Sequence, residues 1–128
     1  MSKKIIASAQ APKALGPYSQ GIRVGNMIYL AGQIPLDPAG QLVEGGILEQ
    51  TERVITNISA LLESEGLTLA HVVKSTVFMK DLAEFEGMNQ VYSKYFTEKP
   101  PARSTIQVAR LPRDAKVEIE VVAIDAAA

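Results

Sequence analysis

The sequence predicts one α+β domain over residues 1–128, in which two helices pack on one face of a mixed β-sheet. Two segments carry apolar residues at the i, i+3, i+4 spacing of an amphipathic helix. The segments around them are short, rich in β-branched residues and bounded by glycine or proline, as strands are. The predicted order is β-β-β-α-β-α-β-β, which is typical of a two-layer fold with a single core.

The first predicted strands are a short edge strand at 3–7 and a β-hairpin at 20–24 and 27–33. The hairpin turn falls at Gly25-Asn26, two residues that tolerate the positive φ of a two-residue turn.

The middle of the chain is predicted as a loop, a helix and a buried strand. Residues 34–46 are rich in proline and glycine, so we expect a loop without core residues. Apolar residues at helical spacing predict a helix over 47–65, which Gly66 would end. Residues 72–80 are apolar or β-branched on both faces, which favours a strand in the middle of a covered sheet.

The C-terminal third contains the second helix and two more strands. Asp81 begins a sequence that resembles a capping box, and the stripe over 85–96 predicts a helix that Pro100-Pro101 stops. Strands follow at 103–109 and 116–125.

The last predicted strand has two different faces. Because side chains alternate along a strand, one face carries only apolar residues and the other begins polar and becomes apolar. The first set is Val117, Ile119 and Val121, and the second is Glu118, Glu120 and Val122. The mixed face lies away from the helices, and it suggests self-association.

Composition excludes several classes of function. The chain has 13 Lys and Arg against 14 Asp and Glu, so no basic surface for nucleic acid is expected. Cysteine is absent and His71 is the only histidine, which excludes thiolate chemistry and a multi-histidine metal centre; no metal is expected. No apolar run could span a membrane and the start is a poor signal peptide, so we expect a cytoplasmic protein.

Arg103 is the first candidate for chemistry. It follows two prolines at the entrance of a strand and shares a strand face with Thr105 and Gln107. Arginine can bind a carboxylate through two parallel hydrogen bonds, whereas lysine offers a point charge. A solvated strand-face arginine or an interface ion pair fits the same pattern.

The other candidates also have two interpretations each. Glu118 and Glu120 are either a solvent-facing stripe or a place to hold a water molecule. Tyr18 is either part of a strand entry or a phenol at a pocket rim, and Gly32 marks either a bulge or a close approach of a ligand. Asn89 is most simply a hydrated side chain. The sequence has no P-loop, dinucleotide-binding fingerprint or Ser-His-Asp arrangement. The remaining prediction is acid-base or water-orienting chemistry at an Arg and a Glu.

Four separated blocks resemble the RidA (YjgF-type) family of reactive-intermediate deaminases, and the similarity runs nearly end to end. The blocks lie at 16–21 (GPYSQG), 32–35 (GQIP), 101–104 (PARS) and 109–120. The resemblance implies a chorismate-mutase-like fold, a homotrimer with clefts between subunits, and no cofactor. It also implies hydrolysis of 2-imino or 2-enamino acids, which pyridoxal-phosphate dehydratases release.

The resemblance also implies roles for individual residues. Arg103 matches the family's carboxylate-binding arginine and Glu118 the glutamate associated with the attacking water. The cleft-lining positions match Tyr18, Gly32 and Asn89.

Two positions depart from the family pattern. Thr105 stands where many members have cysteine, so its expected substrate contact is through the backbone. Ala31 replaces a serine that some members carry. The alternative function is a non-catalytic regulatory trimer that binds a small carboxylate; the net charge of -1 argues against an RNA-cleaving version.

Overall fold

The computed structural model describes residues 2–126, which form two helices packed on a single mixed sheet. Across those residues the sheet has six strands: β1 (Lys4–Ile6), β2 (Gly21–Val24), β3 (Met27–Gln33), β4 (Val72–Met79), β5 (Ala102–Gln107) and β6 (Val117–Ile124). The two α-helices are α1 (Ile47–Glu63) and α2 (Phe85–Tyr95). Short 3-10 helices lie at Leu69–His71, Leu82–Glu84 and Pro112–Asp114. The predicted α+β class and order of strands and α-helices are confirmed.

The strands lie in the order β1-β2-β3-β6-β4-β5. All neighbouring pairs are antiparallel except β4 and β5, which are parallel. Parallel neighbours need a crossover connection, and α2 provides it between these two strands. As a result β4 is an interior strand and β5 forms one edge of the sheet.

Local sequence signals set most of the element ends. Gly25 has a φ of +60° in the hairpin turn, a conformation that glycine adopts without strain. The first helix ends at Glu63, two residues before the predicted end. Asp81 accepts a hydrogen bond from the Ala83 N–H at 2.9 Å, so it caps the 3-10 helix that precedes α2 rather than α2 itself.

The hydrophobic core lies between the helices and one face of the sheet. Side chains from α1 interleave with alternate residues of the central strands, and each buried aliphatic chain contributes about 1.5–3 kcal/mol relative to an exposed one. The fully buried members include Val54, Ile55, Ile58, Leu61, Leu62, Ile28, Val77, Met79, Val117 and Ile119.

A second, smaller cluster lies where the sequence predicts a loop without core residues, and that prediction is wrong. Ile34 and Leu36 are buried there against Leu111 and Ala115. The chain remains irregular across this region, with only one isolated bridge between Leu36 and Leu42.

Asn57 of α1 makes the burial of this loop possible. Its side chain is fully buried, and its amide donates to the carbonyl oxygens of Ile34 at 3.3 Å and Leu36 at 2.9 Å. Its Oδ1 accepts hydrogen bonds from Arg53 at 2.6 and 2.9 Å. Buried carbonyl groups of an irregular segment need such partners, because no neighbouring strand supplies them.

The face of the sheet away from the helices is mixed, as predicted. Glu118 and Glu120 lie on it near the start of β6, while Ile5, Tyr29 and Ile106 expose large apolar side chains. Neither α-helix of the described chain covers this face. Within residues 2–126, no helix is both long and apolar enough to cross a bilayer.

We expect Asn57→Ala to lower the free energy of unfolding by about 2–4 kcal/mol, because two buried carbonyls and Arg53 lose their partner. Urea denaturation at a fixed protein concentration measures this change. The control is Thr56→Ala, since the exposed Thr56 hydroxyl bonds only the Glu52 carbonyl of its own helix. Its expected effect is within about 0.5 kcal/mol. Equal losses at the two positions would contradict the role of Asn57.

Candidate functional site

Glu118 lies on the outer face of β6 with its carboxylate against Gly32 of β3. A Cβ atom at position 32 would overlap that carboxylate, so any other residue there would force the Glu118 side chain to move. The pairing of β3 with β6 shifts register between Leu30 and Gln33, and the irregular backbone holds Gly32 there. The register shift agrees with the bulge interpretation of Gly32, while the close approach of a ligand stays a prediction.

A cavity of about 320 Å³ opens beside Glu118. Much of its wall is apolar, from Pro12, Ala14, Leu15, Ile34, Leu36 and Pro112. Tyr18 lines it as well, and the Tyr18 hydroxyl accepts a hydrogen bond from the Leu15 N–H at 3.0 Å. That bond closes the turn from 15 to 18 and sets the exposed ring at the rim.

Burial raises the pKa of the Glu118 carboxyl, and the nearby charge of Glu120 raises it further. No hydrogen bond or ion pair among residues 2–126 involves the Glu118 carboxylate. A carboxylate with a raised pKa and no protein partner is suited to accept a proton from a water molecule.

Arg103 lies on the helix face of the edge strand β5, beneath α2. Its guanidinium carbon is 4.7 Å from the Tyr92 ring centroid and 5.5 Å from the Phe85 ring centroid. Across residues 2–126 the guanidinium makes neither a salt bridge nor a hydrogen bond. Stacking on aromatic faces leaves the in-plane N–H groups available to bind an anion.

Thr105 and Asn89 lie on the same side of the sheet as Arg103. Thr105 follows Arg103 by two residues on β5, and its buried Oγ1 has no hydrogen-bond partner among the described residues. Asn89 is partly buried on α2, and its spacing from Phe85 and Tyr92 puts all three on one helix face.

The structure does not bring Arg103 and Glu118 together within one chain. Arg103 pairs with Ser75 of β4, which points to the helices and contacts Tyr92, whereas Glu118 pairs with Phe78, which points the other way. The sheet therefore separates two groups. The carboxylate half-site is Tyr18, Gly32 and Glu118, and the arginine half-site is Asn89, Arg103 and Thr105.

Sequence reasoning missed the aromatic residues that contact Arg103. Phe85 and Tyr92 belong to the apolar stripe of α2, so the pattern assigned them to the core. Their separation of seven residues, two helical turns, was the available signal that one helix face presents two rings in line.

The family model described as Endoribonuclease L-PSP matches residues 8–125. The chain belongs to the RidA (YjgF/RutC) family. Its RutC family relative in Pyrococcus abyssi is 55% identical over 124 residues, which cover 96% of this chain and 98% of the relative. The 2-iminobutanoate/2-iminopropanoate deaminase of Capra hircus is 46% identical over 123 residues, covering 95% of this chain and 90% of the relative.

A solved structure that is 40% identical in sequence has the same fold. E. coli TdcF with bound serine superimposes with a TM-score of 0.92 at 40% identity, covering 96% of this chain and 99% of that chain. The coverage is nearly complete in both directions, so the whole RidA-family fold is present here.

In this RidA-family protein we expect Glu120→Gln to lower the pKa of Glu118, because removing a like charge favours the ionised carboxylate. The burial that remains still holds that pKa above its ordinary value. An NMR titration of the glutamate side-chain carboxyl carbons measures the change. Glu86→Gln is the control, since Glu86 is exposed on α2. An unchanged titration midpoint in Glu120→Gln would contradict the coupling of the two carboxylates.

Proposed function

We propose that this protein hydrolyses reactive 2-imino acids, and the 2-enamino acids that tautomerise to them, to 2-oxo acids and ammonia. The observation that carries the proposal is Glu118, a partly buried carboxylate with a raised pKa that lies against Gly32 beside a largely apolar cavity. The relative named 2-iminobutanoate/2-iminopropanoate deaminase supports the choice of reaction. Serine bound to TdcF supports a ligand with an amino-acid carboxylate.

The assembly we propose is a homotrimer with a cleft between each pair of subunits. Arg103 and Glu118 lie on opposite faces of the sheet, so a site that uses both requires two copies of the chain. A cleft that joins two different surfaces fits a heterologous contact, which generates a ring when the rotation between subunits closes. The number of three subunits comes from the family resemblance. The exposed Ile5 and Tyr29 on the outer face provide apolar area for this contact.

In the proposed cleft, Arg103 of one subunit binds the substrate carboxylate through two parallel hydrogen bonds. This contact fixes the position of the imine carbon, and it offsets the negative charge beside that carbon. We propose that Asn89 and the Thr105 backbone border the carboxylate. Across the cleft, Tyr18 and the apolar wall of the partner subunit would contact the substrate side chain.

Glu118 of the partner subunit would then act on water. The water oxygen bonds to the iminium carbon while Glu118 accepts a water proton, giving a carbinolamine. Glu118 returns that proton to the nitrogen, and the carbon–nitrogen bond breaks with its electron pair leaving on ammonia. The hydroxyl gives its own proton to Glu118 as it becomes the new carbonyl, and Glu118 passes that proton to the ammonia, which leaves as ammonium. A carboxyl with a raised pKa suits both steps, because it must accept a proton and give it back. We propose that pyridoxal-phosphate dehydratases in the cytoplasm release the substrates, while this protein itself uses no cofactor.

The first test of the proposed function generates 2-iminobutanoate from threonine with threonine dehydratase and follows 2-oxobutanoate release with and without this protein. We expect acceleration by the wild type. Arg103→Ala should lose about tenfold to several hundredfold, because a charged hydrogen-bonding anchor is removed. Glu118→Gln should lose about 10²–10⁴-fold, as for other general bases.

The matched control is Glu86→Gln, which neutralises an exposed carboxylate on α2 that is not among the causes of the Glu118 pKa and should keep turnover within about threefold of wild type. No acceleration by the wild type, together with Arg103-dependent binding of 2-oxobutanoate, would reject the enzyme in favour of the carboxylate-binding trimer.

The second test asks whether the two half-sites come from different subunits. Arg103→Ala and Glu118→Gln chains, each nearly inactive alone, are unfolded together and refolded as mixed assemblies. Random mixing gives an intact Arg103 facing an intact Glu118 in about a quarter of the clefts, so about a quarter of wild-type activity should return. If both residues of a site came from one chain, mixing would restore nothing.

A further inference from the structure

We infer that Tyr92, held in place by Ser75, is a positioning residue that fixes the Arg103 guanidinium for carboxylate binding. This inference rests on the proposed function, in which Arg103 binds the substrate carboxylate. It assigns a role to a buried tyrosine that otherwise belongs to the hydrophobic core.

The aromatic contacts are what hold the Arg103 guanidinium. Its carbon is 4.7 Å from the Tyr92 ring centroid, nearer than the 5.5 Å to Phe85. It has no salt bridge or hydrogen bond to any residue from 2 to 126. Strand β5 is at the edge of the sheet, so no strand beyond it restricts the Arg103 side chain. A long, flexible arginine side chain in this position has one preferred conformation because the two rings hold its guanidinium.

Tyr92 is itself held rigidly. Its ring is 6% exposed and packs at 4.4 Å between centroids against Phe96. Its hydroxyl is 2.7 Å from the Oγ of Ser75, which is fully buried in the interior strand β4. A buried phenol needs such a partner, and the bond fixes how far the ring reaches along the sheet.

Strand pairing places Ser75, the residue that holds Tyr92, directly beside Arg103. Ser75 is the residue that pairs with Arg103 across β4 and β5. Ser75 therefore has two effects. Its backbone pairing sets the position of Arg103 along the sheet, and its hydroxyl sets the position of the Tyr92 ring that the guanidinium contacts. A guanidinium stacked by its face keeps its N–H edge free for two parallel bonds to a carboxylate.

Removing the ring should therefore weaken carboxylate binding. We expect Tyr92→Leu to raise the Kd for 2-oxobutanoate by about 3- to 10-fold, because binding must then order an arginine side chain that the ring otherwise holds. Tyr92→Phe keeps the ring and loses only the bond to Ser75, so the expected rise is smaller, about twofold. In an Arg103→Ala background, Tyr92→Leu should change residual kcat/KM by less than about twofold, because a positioning residue acts through Arg103.

The matched control is Val91→Ala. Val91 is a buried residue of the same helix, and the ring contacts of Arg103 and Tyr92 do not include it. We expect it to lower stability as Tyr92→Leu does while leaving the Kd for 2-oxobutanoate within about twofold. General damage to the core would instead weaken binding equally in both variants, and that result would overturn the inference.

A readout independent of function is the NMR signal of the Arg103 Nε–H. Protons over an aromatic face are shifted upfield, so this signal should move toward the free-arginine position in Tyr92→Leu and stay unchanged in Val91→Ala. An unchanged signal, or a changed signal with an unchanged Kd, would overturn the inference. If the wild type fails to bind 2-oxobutanoate, the proposed function fails, and the carboxylate-binding role of Tyr92 is overturned with it.

Discussion

The alternation of side chains across one sheet is the constraint on which the rest of this structure depends. Residues of one parity face the helices and form the core, and residues of the other parity face outward. Arg103 has the first parity and Glu118 the second, once the strands are paired through β4. The chain thus carries two half-sites that its own sheet keeps apart, which makes assembly part of the proposed chemistry.

Several parts of the chain determine where the Glu118 carboxylate lies. A bulge and a glycine leave room for the Glu118 carboxylate, whose burial beside Glu120 disfavours its charge. Asn57 fixes the irregular loop whose Ile34 and Leu36 line the cavity beside that carboxylate. A buried core thereby sets the geometry of groups on the outer face of the sheet.

Strong periodicity explains which elements were predictable. The stripe of α1 and the Gly25-Asn26 turn are local signals, and both elements form where they were predicted. Residues 34–46 were misjudged because prolines and glycines indicate a loop but not whether it is buried. That depends on Asn57, a residue distant in sequence that supplies hydrogen bonds to the loop.

The sequence by itself determined the α+β class, the order of the elements and the family resemblance, and it singled out Arg103 and Glu118 as candidate site residues. Only the tertiary structure decided that Arg103 and Glu118 face opposite sides. Parity within a strand can be read from the sequence, but the relative phase of two strands is set by their hydrogen-bonded register. The contact of Arg103 with the Tyr92 ring likewise depends on how α2 packs on the sheet, which the sequence does not show.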